Sequence, residues 1–298
     1  MLQIQTIGIA SGLAGNHEAC RKGPVVLRDS QYLTTQCYEH GIHLDWLPLL
    51  EADVLLNKHQ AIKQLCHQAG MASFNCIKNK TPFIFFSGEH AYAMGIWKGV
   101  MSALAMDGAP AKKLGLIWID AHMDAHTFVS SPSGNVHGMP VAALLGQADE
   151  QLQQIYGDGP VLDTNCLGLF GVRSYEQTEA DLLKRLNIME IPMTEIKQKN
   201  LKGLLSILCK QVLKHADYFS ISIDIDAIDP EDAPAVGVPE PGGLKAKILC
   251  AALKQFNNDP LFLGLEIAEY SPDYDKDNKT LHVISDLVTA LYGRQHAI

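Results

Sequence analysis

The stretch Leu114-Gly-Leu-Ile-Trp-Ile-Asp-Ala-His-Met-Asp124 carries the fold. Its first six residues form an unbroken apolar run, and Asp120, His122 and Asp124 follow as a D-x-H-x-D run. An apolar run without polar alternation predicts a strand covered on both faces. If strand geometry continues past it, residues two apart point the same way, so the three side chains face one point. Taken alone, the motif is also readable as an acidic loop with helix-capping aspartates.

The same logic recurs on either side. Asp224 and Asp226 follow the run YFSISI, and His90 follows FIFFSGE. Carboxylates gathered this closely suppress one another's ionisation unless cations neutralise them. Oxygen and imidazole donors without thiolate suit a hard or borderline divalent ion such as manganese. The set His90, Asp120, His122, Asp124, Asp224 and Asp226 therefore points to a two-metal hydrolytic centre.

Further apolar runs are IQTIGIA, TPFIFF, CLGLFGV and PLFLGLEI. Between runs lie stretches of helical periodicity, among them HAYAMGIWKGVMSALAM, EADLLKRL, LKGLLSILCKQVLKHA and AKILCAALKQF. This alternation predicts βαβ units and a parallel sheet. In open α/β sheets ligands bind beyond the carboxyl ends of the strands. Glu89, His90, Asp120, Arg173, Asp224 and Glu269 all stand at such ends.

Other residues carry weaker signals. His137 lies in Ser133-Gly-Asn-Val-His-Gly138, a dozen residues after the first motif. Such a histidine is a surface residue or, beside a metal centre, a proton shuttle with an unperturbed pKa near ~6.5. Glu266 and Glu269 end the run GLEIAE, and a carboxylate just past the strand could hold a cation. Arg173, Glu176 and Glu179 open a helix, where the helix dipole favours glutamates in any case. Asp273, Asp275 and Asp277 imitate the start of a calcium loop. Asn278 stands where that loop needs Gly and Ile284 where it needs Glu, so the EF-hand reading fails.

The chain has 298 residues, 47% hydrophobic and 19% charged, which suffices for a large core. With no linker, repeat or low-complexity tract, residues 1–298 read as a single domain. A formal net charge of −9 without a basic stripe disfavours nucleic acid. The N-terminus MLQIQTIGIASG reads as a strand and not as a signal peptide. No apolar run reaches the ~18 residues of a membrane span. The seven cysteines form no CxxC pair and read as buried, reduced thiols of a cytoplasmic protein.

With these motifs in hand, the chain resembles the ureohydrolase family, the arginases and agmatinases. SGEHA, DAHMD, SGNVHG, SIDIDAIDP and IAEYSP occur in the family's order, and the likeness runs from GPVVLR to EIAEYSPDYDKDNKT. The resemblance implies a three-layer α/β/α fold with a mostly parallel central sheet. It implies two manganese ions per chain and hydrolysis of a guanidinium group to urea. It also implies a homo-oligomer, a trimer or hexamer. Carried over, one ion is held by His90, Asp120, Asp124 and Asp224. The other is held by Asp120, His122, Asp224 and Asp226, so Asp120 and Asp224 bridge. Asp124 steadies the intermediate and passes a proton, His137 relays protons, and Glu269 clamps the guanidinium. The length of the loop from Asp124 to His137 favours arginase over agmatinase, with L-arginine the substrate. Ser133 and Asn135 then meet its α-carboxylate, and Glu176 and Glu179 its α-amino group. The chain departs from the arginase pattern at three points. His126 replaces the usual Asn in carboxylate recognition, Val238 replaces a frequent Thr, and SGEHA replaces GGDHS. Agmatinase, guanidinobutyrase and formiminoglutamase activities remain alternatives, as does a non-catalytic relative kept for metal binding or assembly.

Overall fold

The structure, a computed structural model, describes residues 1–106, 108 and 110–294. Every apolar run quoted above forms a strand. The strands are β1 (Leu2–Ala10), β2 (Ile42–Trp46), β3 (Leu50–Glu51), β4 (Phe83–Ser87), β5 (Leu114–Ile119), β6 (Leu167–Phe170), β7 (Met189–Ile191), β8 (Tyr218–Asp224) and β9 (Phe262–Ala268). Among the described residues they form one sheet in the order β2-β1-β4-β9-β8-β5-β6-β7, with β3 also paired to β1. Every pairing is parallel.

Side chains on a strand alternate between faces, and here both faces are buried. Ile84, Phe86, Ile117 and Ile119 join one core, closed by helices Leu201–Val212, Ala246–Leu253 and Lys279–Tyr292. Phe83, Phe85, Leu116 and Trp118 join the other, closed by helices Lys58–Lys78, Ala93–Ala105 and Glu150–Tyr156. Helices on both faces of a mainly parallel sheet give three layers.

The register puts the strand ends level. Ser87 pairs with Ala268, Ala268 with Asp224, and Ile119 with Ile223. Residues just past β4, β9, β8 and β5 therefore share one rim. His90 opens a short 3-10 turn (His90–Tyr92) that runs into helix Ala93–Ala105. That helix crosses Lys58–Lys78 at Gly95, where an added Cβ would lie 2.0 Å from the Cys66 carbonyl oxygen. Only glycine permits the approach that seats this end of the helix.

The acidic run near the C-terminus is a cap. Asp275 accepts the Thr280 N–H and the Leu281 N–H, both at 3.0 Å, at the start of helix Lys279–Tyr292. All seven cysteines are free and buried. Among the described residues no helix is long and apolar enough to cross a membrane.

Candidate active site

Two carboxylate–imidazole clusters meet on the rim. His90, Asp120 and Asp224 form one, and Asp120, His122 and Asp226 form the other, each with ligand-type atoms within 4.8 Å of one another. His90 Nδ1 lies 3.0 Å from Asp120 Oδ2 and 3.3 Å from both Asp124 Oδ2 and Asp224 Oδ2. His122 Nδ1 lies 3.0 Å from Asp226 Oδ2 and 3.6 Å from Asp120 Oδ1. Asp120 thus turns one oxygen towards each cluster. Its carboxylate is fixed by the Trp118 indole N–H at 2.9 Å and the His122 N–H at 2.7 Å.

The electrostatics fit cations. Burial and the neighbouring Asp120 carboxylate push Asp124 up to about 7. Burial, Asp226 and Asp120 raise Asp224 well above the usual range, and burial raises Asp226. Burial would lower the histidines, but the facing carboxylates override it and hold His90 and His122 far above their ordinary value. Without a metal, protons do the neutralising that these groups require. Divalent cations would replace those protons and suit the oxygen-rich, thiolate-free donor set.

Support for His90 comes from inside the sheet. Its Nε2 lies 2.9 Å from Ser222 Oγ, which donates to Glu266 Oε2 at 2.7 Å, and Ser87 Oγ donates to Glu266 Oε1 at 2.7 Å. A serine that gives its only proton to a carboxylate must accept from the ring, so Nε2 carries the hydrogen. The Nδ1 lone pair is then free for a metal. The ring also stacks on Trp118 at 4.0 Å. Sequence reasoning missed this support. Its signal was the polar residues Ser222 and Glu266 among the apolar residues of buried strands.

Glu269 follows β9 with φ +70°, and Asp124 has φ +50°. Left-handed backbone in residues other than glycine is costly and gathers at functional sites. Glu269 Oε1 accepts the His90 N–H at 3.1 Å and lies 3.3 Å from His137 Nδ1. Glu269 Oε2 accepts from the Cys20 thiol at 3.3 Å, a contact the sequence did not signal. Burial would lower the His137 pKa, but Glu269 overrides it and holds it up to about 9. Glu89 is wholly buried beside this group and accepts the N–H groups of Ala14 and Gly15.

A cleft of about 200 Å³ opens over the clusters. His126, Ser133, Asn135, His137, Glu176, Glu179 and Val238 line it, so the structure brings every expected site residue to one place. Their partners differ from expectation at His126. Its Nε2 lies 2.9 Å from Glu176 Oε2 and 3.2 Å from Glu179 Oε2, and its Nδ1 lies 3.1 Å from Ser130 Oγ. Glu176 caps helix Gln177–Arg185 as expected, and Glu179 accepts the Glu176 N–H at 3.0 Å. Arg173 lies off the cleft and spends its guanidinium on the backbone carbonyls of Asp226, Ala227 and Glu240.

The arginase family model matches residues 3–293. The chain belongs to the arginase family. It is 33% identical to an arginase of Brevibacillus brevis over 70% of this chain and 68% of that protein. To an arginase of Bacillus caldovelox it is 32% identical over 71% of this chain and 69% of that protein. The crystal structure of arginase from Bacillus subtilis superposes with a TM-score of 0.89 at 26% identity, covering 99% of this chain and 100% of that one. A formimidoylglutamase structure from the same species shares the fold, with a TM-score of 0.73 at 20% identity over 98% of this chain and 86% of that one. Membership makes the protein a hydrolase acting on a guanidino-type substrate, and its Asp/His clusters fit a metal site. A non-catalytic relative is no longer in question.

Proposed function

We propose that the protein is a dimanganese arginase that converts L-arginine and water to L-ornithine and urea. The observation that carries this reading is Asp120, shared between two carboxylate–imidazole clusters beneath a small cleft. On this reading His90, Asp120, Asp124 and Asp224 hold one ion, and Asp120, His122, Asp224 and Asp226 hold the other. When bound, two such ions supply Lewis-acid activation of water near neutral pH.

The protein's own groups do the rest. Glu269, fixed by the His90 N–H and the Cys20 thiol, pairs with the guanidinium and orients its central carbon. Asp124 takes up a proton and passes it to the leaving amine, its carboxylate lining the cleft 3.3 Å from His90. His137 bridges to solvent, since its side chain is 22% exposed while Nδ1 faces Glu269. Ser133 and Asn135 supply hydrogen bonds for the substrate carboxylate at the cleft mouth. The proposal extends to one catalytic domain over residues 1–298, working in the cytoplasm as a homo-oligomer, a trimer or hexamer.

A second reading is another ureohydrolase, acting on agmatine, guanidinobutyrate or formiminoglutamate. The observation in its favour is His126, tied to the two glutamates at the cleft mouth. Urea release with manganese supplied, measured on L-arginine, agmatine and guanidinobutyrate, tests the proposal; formiminoglutamate is followed by its own consumption. L-Arginine should have the highest specificity constant. A higher constant for any other compound would move the protein to the second reading.

A further inference from the structure

His126, Glu176 and Glu179 line the outer end of the cleft and touch none of the hydrolytic groups. Free carboxylates there would attract an ammonium group. Here they are taken. His126 Nε2 stands 2.9 Å from Glu176 Oε2 and 3.2 Å from Glu179 Oε2. Glu179 Oε1 accepts the Ala125 N–H, and its Oε2 accepts the Glu176 N–H, both at 3.0 Å. Carboxylates only accept, so Nε2 carries a hydrogen in either charge state of the ring.

An ammonium could reach Glu179 only by displacing that imidazole. His126 is 6% exposed and Glu179 3% exposed, so displacement would strand buried polar atoms. Glu176 is more accessible, with 56% of its side chain in solvent. A solvated pair there contributes little. The facing wall differs. Ser131 and Ser133 accept backbone N–H groups of Gly134 and Asn135, at 3.0 Å and 3.2 Å. The two hydroxyls lie 3.4 Å apart, so one donates to the other and the remaining hydrogen is left to donate outward, which suits a carboxylate.

We propose that this cleft recognises a guanidino acid by its carboxylate and leaves the α-amino group unread, with His126 the residue that sets this specificity. The inference rests on the guanidino-hydrolase reading above and refines its substrate class. That class is L-arginine together with guanidino acids of matching length that lack the α-amino group.

The test compares L-arginine, 5-guanidinopentanoate (arginine without its α-amino group) and agmatine, by urea release from the manganese-loaded protein. The constants for the two acids should lie within about tenfold of each other, because a group that is not bonded by the site contributes little to discrimination. Agmatine should fall at least about a hundredfold below both, since it lacks the carboxylate and leaves a hydroxyl donor and its neighbours unpaired. In His126→Asn the shorter side chain no longer spans both glutamates, and the preference for L-arginine over 5-guanidinopentanoate should rise about tenfold or more. A wild-type preference above that tenfold limit overturns the inference, as does an unchanged ratio in the variant. Calorimetry on the wild type gives a reading that needs neither turnover nor the variant. L-Ornithine and 5-aminopentanoate should bind within about tenfold of each other, and a wider gap favouring ornithine also overturns it. Hydrolysis of L-arginine without 5-guanidinopentanoate sinks this inference alone. Hydrolysis of neither acid sinks the functional reading and takes the inference with it.

Discussion

Asp124→Asn should stabilise the metal-free protein while crippling the metal-loaded one. Asp124 is buried against Asp120, and the two effects lift its pKa from 3.8 to about 7. A carboxyl raised in the folded state favours folding only while protonated. Its ionisation costs folding nothing below the unfolded value, and the cost grows until pH passes the folded value. That lift is equivalent to about 4 kcal/mol above pH 7. Asparagine removes the charge and keeps the shape. Its tolerance of left-handed backbone also suits φ +50° at this position. Part of the gain is lost with the 3.3 Å contact to His90, leaving roughly 1–3 kcal/mol. For a chain of this size that is a rise of roughly 2–5 °C in Tm. The assay is thermal unfolding of both proteins at pH 8 and pH 4, with a chelator and with excess manganese. With chelator the variant should melt higher at pH 8, and that advantage should be lost at pH 4. With manganese the order should reverse, because the variant has lost a ligand. A variant that melts lower than wild type in chelator at pH 8 would refute the claim that the carboxylates repel until cations arrive.

Asp120→Asn should reduce bound metal more than His90→Asn, because Asp120 faces both clusters and His90 only one; elemental analysis of both variants checks this, and equal losses would count against a bridging role. Glu269→Gln should keep its metal but lose about 10²–10³ in kcat, the scale of a misplaced reacting group. In the metal-free state the same change should drop the His137 pKa from about 9 towards its unperturbed value, read by NMR titration, since its negative partner is gone. Ser222→Ala breaks the link from His90 to Glu266 and should weaken metal binding by about 10–100-fold, as losses of outer partners of ligating histidines do; unchanged affinity would show that stacking on Trp118 suffices to hold the ring.

The apolar runs announced the central strands because those strands are covered on both faces. Strands β2 and β7 lie at the sheet edges, and the sequence hid them. Ile42–Trp46 alternates apolar and polar residues, and Met189–Ile191 is three residues long. Neither makes a continuous apolar run. The six ligand-type residues were visible because each stands at or just past a strand end and the register makes those ends level. Glu89 and Glu269 were legible as rim neighbours, each just past the end of a paired strand, but Cys20 was not: it sits on helix Glu18–Arg21 after the loop that follows β1, and loop geometry leaves no period in a sequence. The partner of His126 was hidden for a related reason. Its substitution for asparagine could be seen, but its pairing with Glu176 and Glu179 depends on how the helix start at Gln177 faces the Asp124 loop.

Central to the proposed function are two divalent ions acting together on a guanidino acid. Its most direct test is a titration of metal-stripped protein with manganese, following bound metal and urea released from L-arginine in the same samples. Urea formation should stay near zero in stripped protein and rise to a plateau as binding reaches two ions per chain. Full urea release from protein shown to be free of metal, or saturation with two ions and no urea from any guanidino acid, would contradict it.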